Sequence, residues 1–228
     1  MSFSLLINGI DGKMGRETVL KAELFPQIKE IIGFDKTKKA PIESKNFKTK
    51  YKPFLIDFSS PEGSLSAGLF CLKNKIPAVI GTTGIKENQK RELIKYSKKI
   101  PIFISSNMSA AVNLTFIAVE FFAKNLDFDI HIHETHHTAK KDAPSGTALK
   151  YAEFIEKAGK KPQITSARIG DIKGEHEIVF AGKGEKIILK HCAFDRGIFS
   201  IGAIKAGLWL SSQKPRLYSF LDFFKAKL

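Results

Sequence analysis

Short apolar runs alternate with amphipathic segments over the first half of the chain. Phe3–Asn8 is apolar without alternation, as in a strand buried on both faces. Arg16–Leu24 has a helical period and stops before Pro26. Strand-like runs recur at Glu30–Phe34, Phe54–Phe58, Ala78–Ile80 and Ile102–Ile104. Ser60-Pro61-Glu62 carries helix-start chemistry: a hydroxyl at the N-cap, proline at the first helical position and an acid in the first turn. That helix is predicted to run to Asn74, and the next spans Lys86–Lys98. Thr37–Pro53 is a polar, lysine-rich connection. Alternation of strand and helix from residue 3 to 105 predicts a parallel sheet with helices on both faces.

After Asn107 the rhythm changes. Ala110–Lys124 reads as a helix, Phe128–His133 as a strand and Ser145–Lys157 as a helix; after a turn at Gly159–Pro162 come three strand-like runs, Ile164–Ile169, Glu177–Ala181 and Lys186–Cys192. Those spacings are hairpin signals, so this half is expected to be α+β with an open, mostly antiparallel sheet. Gly197–Ser212 returns to a helical pattern, with Ile201, Ile204, Leu208 and Trp209 apolar, and is expected to pack back on the first module; Leu217–Phe224 is expected to be buried. The fold class is therefore α/β: a Rossmann-like, doubly wound domain from 1–108 and 197–228, bearing the dinucleotide, plus an α+β substrate-binding and oligomerisation domain, 109–196, with an open mixed sheet.

Composition narrows the picture. The 228 residues suffice for two modules with real cores, and 43% apolar with 26% charged residues is ordinary for a globular protein. No apolar run approaches the roughly 20 residues of a membrane span, and the N-terminus lacks a basic segment and cleavage site, so a cytoplasmic protein without membrane partners is expected. Cys71 and Cys192 fit neither a metal knuckle nor a disulfide framework, and no metal is expected. The net charge is +14. The lysines are scattered rather than gathered on a basic helix with interleaved aromatics, so the charge points to anionic small molecules ahead of nucleic acid.

Gly9-Ile10-Asp11-Gly12-Lys13-Met14-Gly15 follows the first strand and opens the first helix. Glycines there suit a tight turn, close approach of a pyrophosphate and helix–strand packing, although the spacing differs from the usual G-x-G-x-x-G. Asp35 closes the second strand, where a carboxylate would meet adenosine-ribose hydroxyls about 20 residues beyond the glycines. A carboxylate favours NADH, whereas the adjoining Lys36, Lys38 and Lys39 favour the extra phosphate of NADPH; dual use with some preference for NADH is expected. Gly81, Thr82 and Thr83 end the fourth strand with small hydroxylated residues suited to a nicotinamide ribose or its amide.

Glu134–Leu149, reading ETHHTAKKDAPSGTAL, holds the chain's densest set of groups for an acidic substrate. His136, His137 and Lys140 can donate protons or bind anions, and the amides of Ser145, Gly146 and Thr147 would stand unpaired at a helix N-terminus, which attracts negative charge. Asp142, before Ala143-Pro144, reads as a turn former rather than an acid or base.

GIDGKMGR, DFSSPEG, GTTG, SSNMSAAVN, ETHHTAKKDAPSGTAL, ARIGDIKGEH and AIKAGLWL stand in the order found in dihydrodipicolinate reductases, and the resemblance covers nearly the whole chain. It implies an enzyme that reduces 4-hydroxy-tetrahydrodipicolinate, a cyclic dicarboxylate, with NADH or NADPH in lysine/diaminopimelate biosynthesis. It further implies that Gly9, Ile10, Asp11, Gly12, Lys13 and Met14 form the pyrophosphate loop, that Asp35 and Lys36 meet the adenosine ribose, and that Gly81, Thr82, Thr83 and Ser105, Ser106, Asn107, Met108 lie on the nicotinamide side. His136 matches the family's acid/base histidine and Lys140 its proton donor; His137, Gly146 and Thr147, with Ser145 at the helix start, match its substrate-binding positions. The resemblance also implies a homotetramer. Ile10 departs from the family in replacing a small residue. The residues themselves leave open a related NAD(P)-dependent imine or aldehyde reductase, and a non-catalytic basic binding protein.

Overall fold

The computed structural model describes residues 1–36, 42 and 48–226. Lys38, Lys39 and most of the predicted 37–53 connection lie outside the described residues. Two compact units emerge, Met1–Ser109 with Gly197–Leu228, and Ala110–Arg196.

The first unit is a six-stranded parallel sheet of β1 (Phe3–Asn8), β2 (Ile28–Phe34), β3 (Lys52–Asp57), β4 (Ala78–Ile80), β5 (Ile102–Ile104) and β10 (Leu217–Tyr218), in the order β10-β5-β4-β3-β1-β2. Its helices are α1 (Lys13–Ala22), α2 (Pro61–Asn74), α3 (Glu87–Ser97), α6 (Gly197–Leu210) and α7 (Phe220–Lys225). All six residues of β1 are buried because both sheet faces are covered. Leu6, Leu55, Ile80 and Ile102 pack with Ala67, Phe70 and Leu93 of α2 and α3. Their neighbours in sequence point the other way, where the Phe103 ring meets Trp209 of α6 and Phe220 of α7, at centroid distances of 6.4 and 5.0 Å. The return helix α6 does pack on this unit: the Thr18 and Ser200 hydroxyls meet at 3.0 Å between α1 and α6. The tail contributes more than buried rings, since Leu217–Tyr218 pair with β5 as a sixth strand too short to show in a periodicity.

The glycine run differs from expectation in one respect. Helix α1 begins at Lys13, not Arg16, with extended Gly12 as its N-cap. Gly15 thus sits in the first turn, where a Cβ would come within 2.2 Å of the Gly9 carbonyl oxygen. The loop and the helix therefore approach more closely than any side chain permits.

A buried carboxylate ties the strand ends together. Asp57 closes β3 with no solvent exposure. It accepts from Asn8 Nδ2 at 2.7 Å, Ser59 Oγ at 2.5 Å, Ser64 Oγ at 2.5 Å and Thr82 Oγ1 at 2.7 Å. Ser60 caps α2 as its sequence foretold, its hydroxyl accepting from the Gly63 amide at 3.1 Å.

In the second unit, β6 (Asp129–His136), β7 (Gln163–Arg168), β8 (Glu175–Gly182) and β9 (Glu185–Cys192) form a mixed sheet in the order β7-β6-β8-β9. β8 and β9 make the expected hairpin, but β7 pairs parallel with β6 and not with β8. Helix α5 (Gly146–Glu156) is the reason: it carries the chain back across the sheet, so the strand that follows must run parallel to β6. With α4 (Ala110–Asn125), α5 covers one face, where Val112, Phe116, Tyr151 and Ile155 pack on Ile132, Ile178 and Phe180. The alternate positions of β6 bear His131, His133 and Thr135; His131 Nε2 and His133 Nδ1 each meet Thr165 Oγ1, at 3.0 and 2.9 Å.

Two substitutions separate a local cap from the buried hub. Ser60→Ala is expected to cost about 1 kcal/mol, as for other lost N-caps. Asp57→Ala leaves several buried donors unmet at about 1–3 kcal/mol each, so at least about 3 kcal/mol is expected. Urea unfolding of both variants checks the order; equal midpoints would show that the hub does not hold the strand ends.

Candidate active site

The candidate cofactor residues of the first unit all lie at the carboxyl edge of its sheet, beyond β1 (Gly9 to Met14), β2 (Asp35, Lys36), β4 (Gly81 to Thr83) and β5 (Ser105 to Met108). Between β1 and β3 the winding reverses, and ligands of open α/β sheets bind at such a switch point. A cavity of about 240 Å³ opens there, lined by Asn8, Gly9, Gly12, Asp35, Lys36 and Ser59 among others. Gly9 has φ +82°, and a Cβ on it would lie 2.8 Å from the Phe58 carbonyl oxygen, so only glycine keeps this turn open. Its amide and that of Ile10 are spent on the Phe34 carbonyl at 2.9 and 3.2 Å, and the Asp11 amide donates to Asp35 Oδ2 at 3.3 Å. The Ile10 side chain is buried against Gly33 of β2, so the larger residue turns into the core.

Not every hydroxyl at this edge is available. Thr82 Oγ1 donates to Asp57 and accepts from the Ser59 amide at 3.0 Å, which makes it a brace between two loops. Thr83 is exposed. Ser105 Oγ donates to the Asn107 carbonyl at 2.7 Å, while Asn107 Oδ1 accepts from the Ser109 amide at 2.9 Å. Met108 is buried and Ser106 exposed.

In the second unit, His136 is not in a loop, as a strand ending at His133 would require. It is the last residue of β6 and is 8% exposed. The ladders with β7 and β8 carry the strand farther than its apolar residues do. His136 Nδ1 lies 2.5 Å from Oε2 of Glu134, which is fully buried. Arg168 of β7 forks onto the same carboxylate, Nη2 to Oε1 at 2.8 Å and Nη1 to Oε2 at 3.1 Å. Burial pushes the Glu134 carboxyl up, but hydrogen bonds from Arg168, Ser166 and His136 outweigh it and hold the group at about 2. For His136, burial pulls the imidazole down; Glu134 pulls it up, and Lys140 and Arg168 lower it again, leaving it below the ordinary histidine value.

The start of α5 is partly filled by the chain itself. The Ser145 amide donates to Glu134 Oε1 at 3.2 Å, and its hydroxyl accepts from the Ala148 amide at 3.2 Å and meets His176 Nε2 at 3.1 Å. The expectation of an unpaired amide is therefore not met at Ser145: a helix N-terminus attracts negative charge, and Glu134 supplies it from within. His176 is pushed down to about 3, chiefly by burial and then by His136. Lys140 Nζ is 2.7 Å from Asp142 Oδ1, and Lys140 is the main reason that the Asp142 carboxyl lies below its usual range. Asp142 holds this lysine, and its carboxylate also accepts from its own amide and that of Gly146. His137 is half-buried, and its carbonyl accepts from the Lys140 amide at 3.1 Å.

Glu134, Arg168, His176 and Asp57 escape motif reading as functional residues. Glu134 could have been found from strand alternation, being two residues before His136 and on the same face. Arg168 and His176 come from other strands, which spacing does not reveal. Glu134, His136 and His176 are close enough to surround one ion, but Arg168 already engages both Glu134 oxygens.

The family models divide the chain once, between residues 108 and 111. Residues 3–108 match the family model "Dihydrodipicolinate reductase, N-terminus", and 111–224 match "Dihydrodipicolinate reductase, C-terminus". The chain is 38% identical to the 4-hydroxy-tetrahydrodipicolinate reductase of Caldanaerobacter subterraneus subsp. tengcongensis, covering 99% of each chain. It is 39% identical to that of Rickettsia bellii, over 99% of this chain and 96% of the relative. Its fold superposes on a dipicolinate-bound dihydrodipicolinate reductase from Paenisporosarcina sp. TG-14 with a TM-score of 0.81, 24% identity, and coverage of 98% and 99% of the two chains. Both family models and the full-length relatives agree: the chain belongs to the dihydrodipicolinate reductase family.

Proposed function

We propose that this chain reduces 4-hydroxy-tetrahydrodipicolinate to tetrahydrodipicolinate with NADH or NADPH, in lysine/diaminopimelate biosynthesis; the 4-hydroxyl leaves as water, and the conjugated carbon–nitrogen system so formed takes up a hydride and a proton. The observation that carries the reading is the pairing of a buried, carboxylate-held histidine at the end of β6 with a nearby lysine in the loop that follows, in a chain whose two halves match the two family models. Residues 1–108 and 197–228 serve as the dinucleotide-binding domain and 109–196 as the substrate domain. The switch-point cavity, with its Gly9 cradle and Asp35–Lys36 rim, lies where the adenosine and pyrophosphate end of a dinucleotide would sit. Gly9 to Met14 would hold the pyrophosphate, Asp35 and Lys36 the adenosine ribose, and Gly81 to Thr83 with Ser105 to Met108 the nicotinamide side.

A bound reduced nicotinamide supplies the hydride. Lys140, released from Asp142, pairs with a substrate carboxylate and donates the proton that balances the hydride. Gly146 and Thr147, at the α5 N-terminus, and His137 hold the dianion, while Ser145 shapes that terminus through its cap. His136 exchanges a proton beside them. The family resemblance also points to a tetramer, and the face of the mixed sheet bearing His131, His133 and Thr165 is the surface proposed to carry it.

Lys140→Ala and His136→Ala are each expected to lower kcat at least about a hundredfold, within the range of an acid/base group. The assay follows NADH oxidation on freshly made aspartate-semialdehyde/pyruvate condensation product; a fully active variant removes that residue from proton transfer. NADH fluorescence should report tighter binding when pyridine-2,6-dicarboxylate is present. No such enhancement favours an imine or aldehyde reductase, and salt-sensitive nucleic-acid binding without NADH affinity favours a non-catalytic protein.

The carboxylate of Asp35 beside Lys36 supports use of both cofactors with NADH preferred. The ratio of kcat/KM values checks this, and an NADPH preference beyond about a hundredfold, near 2.7 kcal/mol, defeats it. Sedimentation velocity should give the mass of four chains; a monomer would remove the assembly.

A further inference from the structure

The two nitrogens of His136 have unlike surroundings, and a carboxylate decides which one carries the proton. Glu134 and His136 lie two residues apart on β6 and project to the same side. Glu134 Oε2 is 2.5 Å from Nδ1. Both oxygens of that carboxylate are engaged by Arg168, and Oε1 also accepts from the Ser145 amide. An ionised carboxylate can only accept. Nδ1 is therefore the donor, and in the neutral ring Nε2 keeps a lone pair. Nε2 lies over Gly174, where a Cβ would come within 2.9 Å of it, so the ring occupies space that a side chain would take.

We propose that Glu134, clamped by Arg168, is a positioning residue that holds His136 in the Nδ1–H tautomer and makes Nε2 the atom through which this histidine exchanges its proton. The role of that proton in turnover rests on the reductase reading above; the tautomer does not. Stability alone is a poor reason for the arrangement, because a buried ion pair recovers little more than its desolvation cost. Orientation is a better one: the nitrogen used by an imidazole is set by the hydrogen bond its other nitrogen makes.

The charged and titratable groups around His136 come from four strands and the loop after β6. Glu134 lies on its own strand, Arg168 on β7, His176 on β8 with its ring centroid 5.2 Å away, and Lys140 in the loop that follows; His191, on β9, pairs across from His176. Of these, Glu134 draws the imidazole toward protonation, while Lys140 and Arg168 oppose it. His176, pushed down to about 3, stays neutral through the neutral range. Replacing Glu134 by glutamine keeps an acceptor but removes the negative charge, so the protonation limb of His136 moves to lower pH.

The first test is long-range 1H–15N correlation on the full chain labelled at histidine. His136 is expected to show a protonated Nδ1 and a bare Nε2 at neutral pH; a proton on Nε2 overturns the proposal. The second test is Glu134→Gln. Its kcat is expected to fall roughly a hundredfold, the low end for an acid/base group, with its pH limb displaced to lower pH and NADH affinity retained. Glu134→Asp, which keeps the charge, should restore the limb. A Glu134→Gln enzyme with the wild-type limb overturns the proposal; if that variant does not fold, the wild-type tautomer decides. Failure of the two readings is distinguishable: a chain inert toward 4-hydroxy-tetrahydrodipicolinate defeats the functional reading, and an Nε2–H tautomer defeats this one.

Discussion

A carboxylate shut away from water has to be met by donors, and at Asp57 that requirement organises the nucleotide end of the molecule. Its four side-chain donors come from the end of β1, the β3–α2 connection, the first turn of α2 and the segment after β4. Parallel strands do not by themselves align the loops that follow them; each loop is anchored only at its strand. The hub supplies that alignment. Hydrogen bonds to an ionised group are roughly twice as strong as neutral ones, and a donor left unmet in the interior costs about 1–3 kcal/mol. Moving one loop therefore costs a bond at a group that its neighbours share. The cavity beside Gly9 and Ser59 is shaped by residues that cannot shift independently.

The second unit uses the same device with different donors. Asp57 is surrounded by hydroxyls and one side-chain amide, none of which changes charge near neutrality. Glu134 is surrounded by a guanidinium, a backbone amide and an imidazole. The guanidinium keeps the carboxylate ionised, and the imidazole is the one partner able to gain and lose a proton within the working range of an enzyme. One buried carboxylate is met by groups of fixed charge, and the other by an imidazole that can titrate.

Much of this was legible in the residues. The unalternating apolar β1, the Ser60 cap and the strand ends at Gly81 and Ser105 are local features, and local physics places them. Where periodicity misled, a longer-range constraint prevailed. β6 reaches His136 because ladder bonds to β7 and β8 hold residues whose side chains carry no apolar signal. β7 lies beside β6 because a helix crosses the sheet between them, and the two-residue β10 exists only because β5 offers an edge. The site divides in the same way. His136, Lys140 and Ser145 announce themselves by type and spacing. Arg168 lies 34 residues beyond the carboxylate it grips and meets it only through strand register.

The α5 N-terminus shows why a motif can bring residues together and still misstate their state. Bare amides after Pro144 would be a ready anion site, but the chain places Glu134 on the Ser145 amide and Asp142 against Lys140. These two carboxylates differ in how readily they yield. Asp142 is exposed, and an exposed ion pair contributes only about 0–1 kcal/mol. Glu134 is buried and bound in a fork, where breaking one partner costs about 3–5 kcal/mol. Under the proposed function, a dianionic ligand would draw Lys140 away from Asp142 at little cost, while Glu134 stays on Arg168 and His136. The cation proposed to meet the ligand has a placeholder that is easily displaced, and the histidine beside it has an anchor that is not.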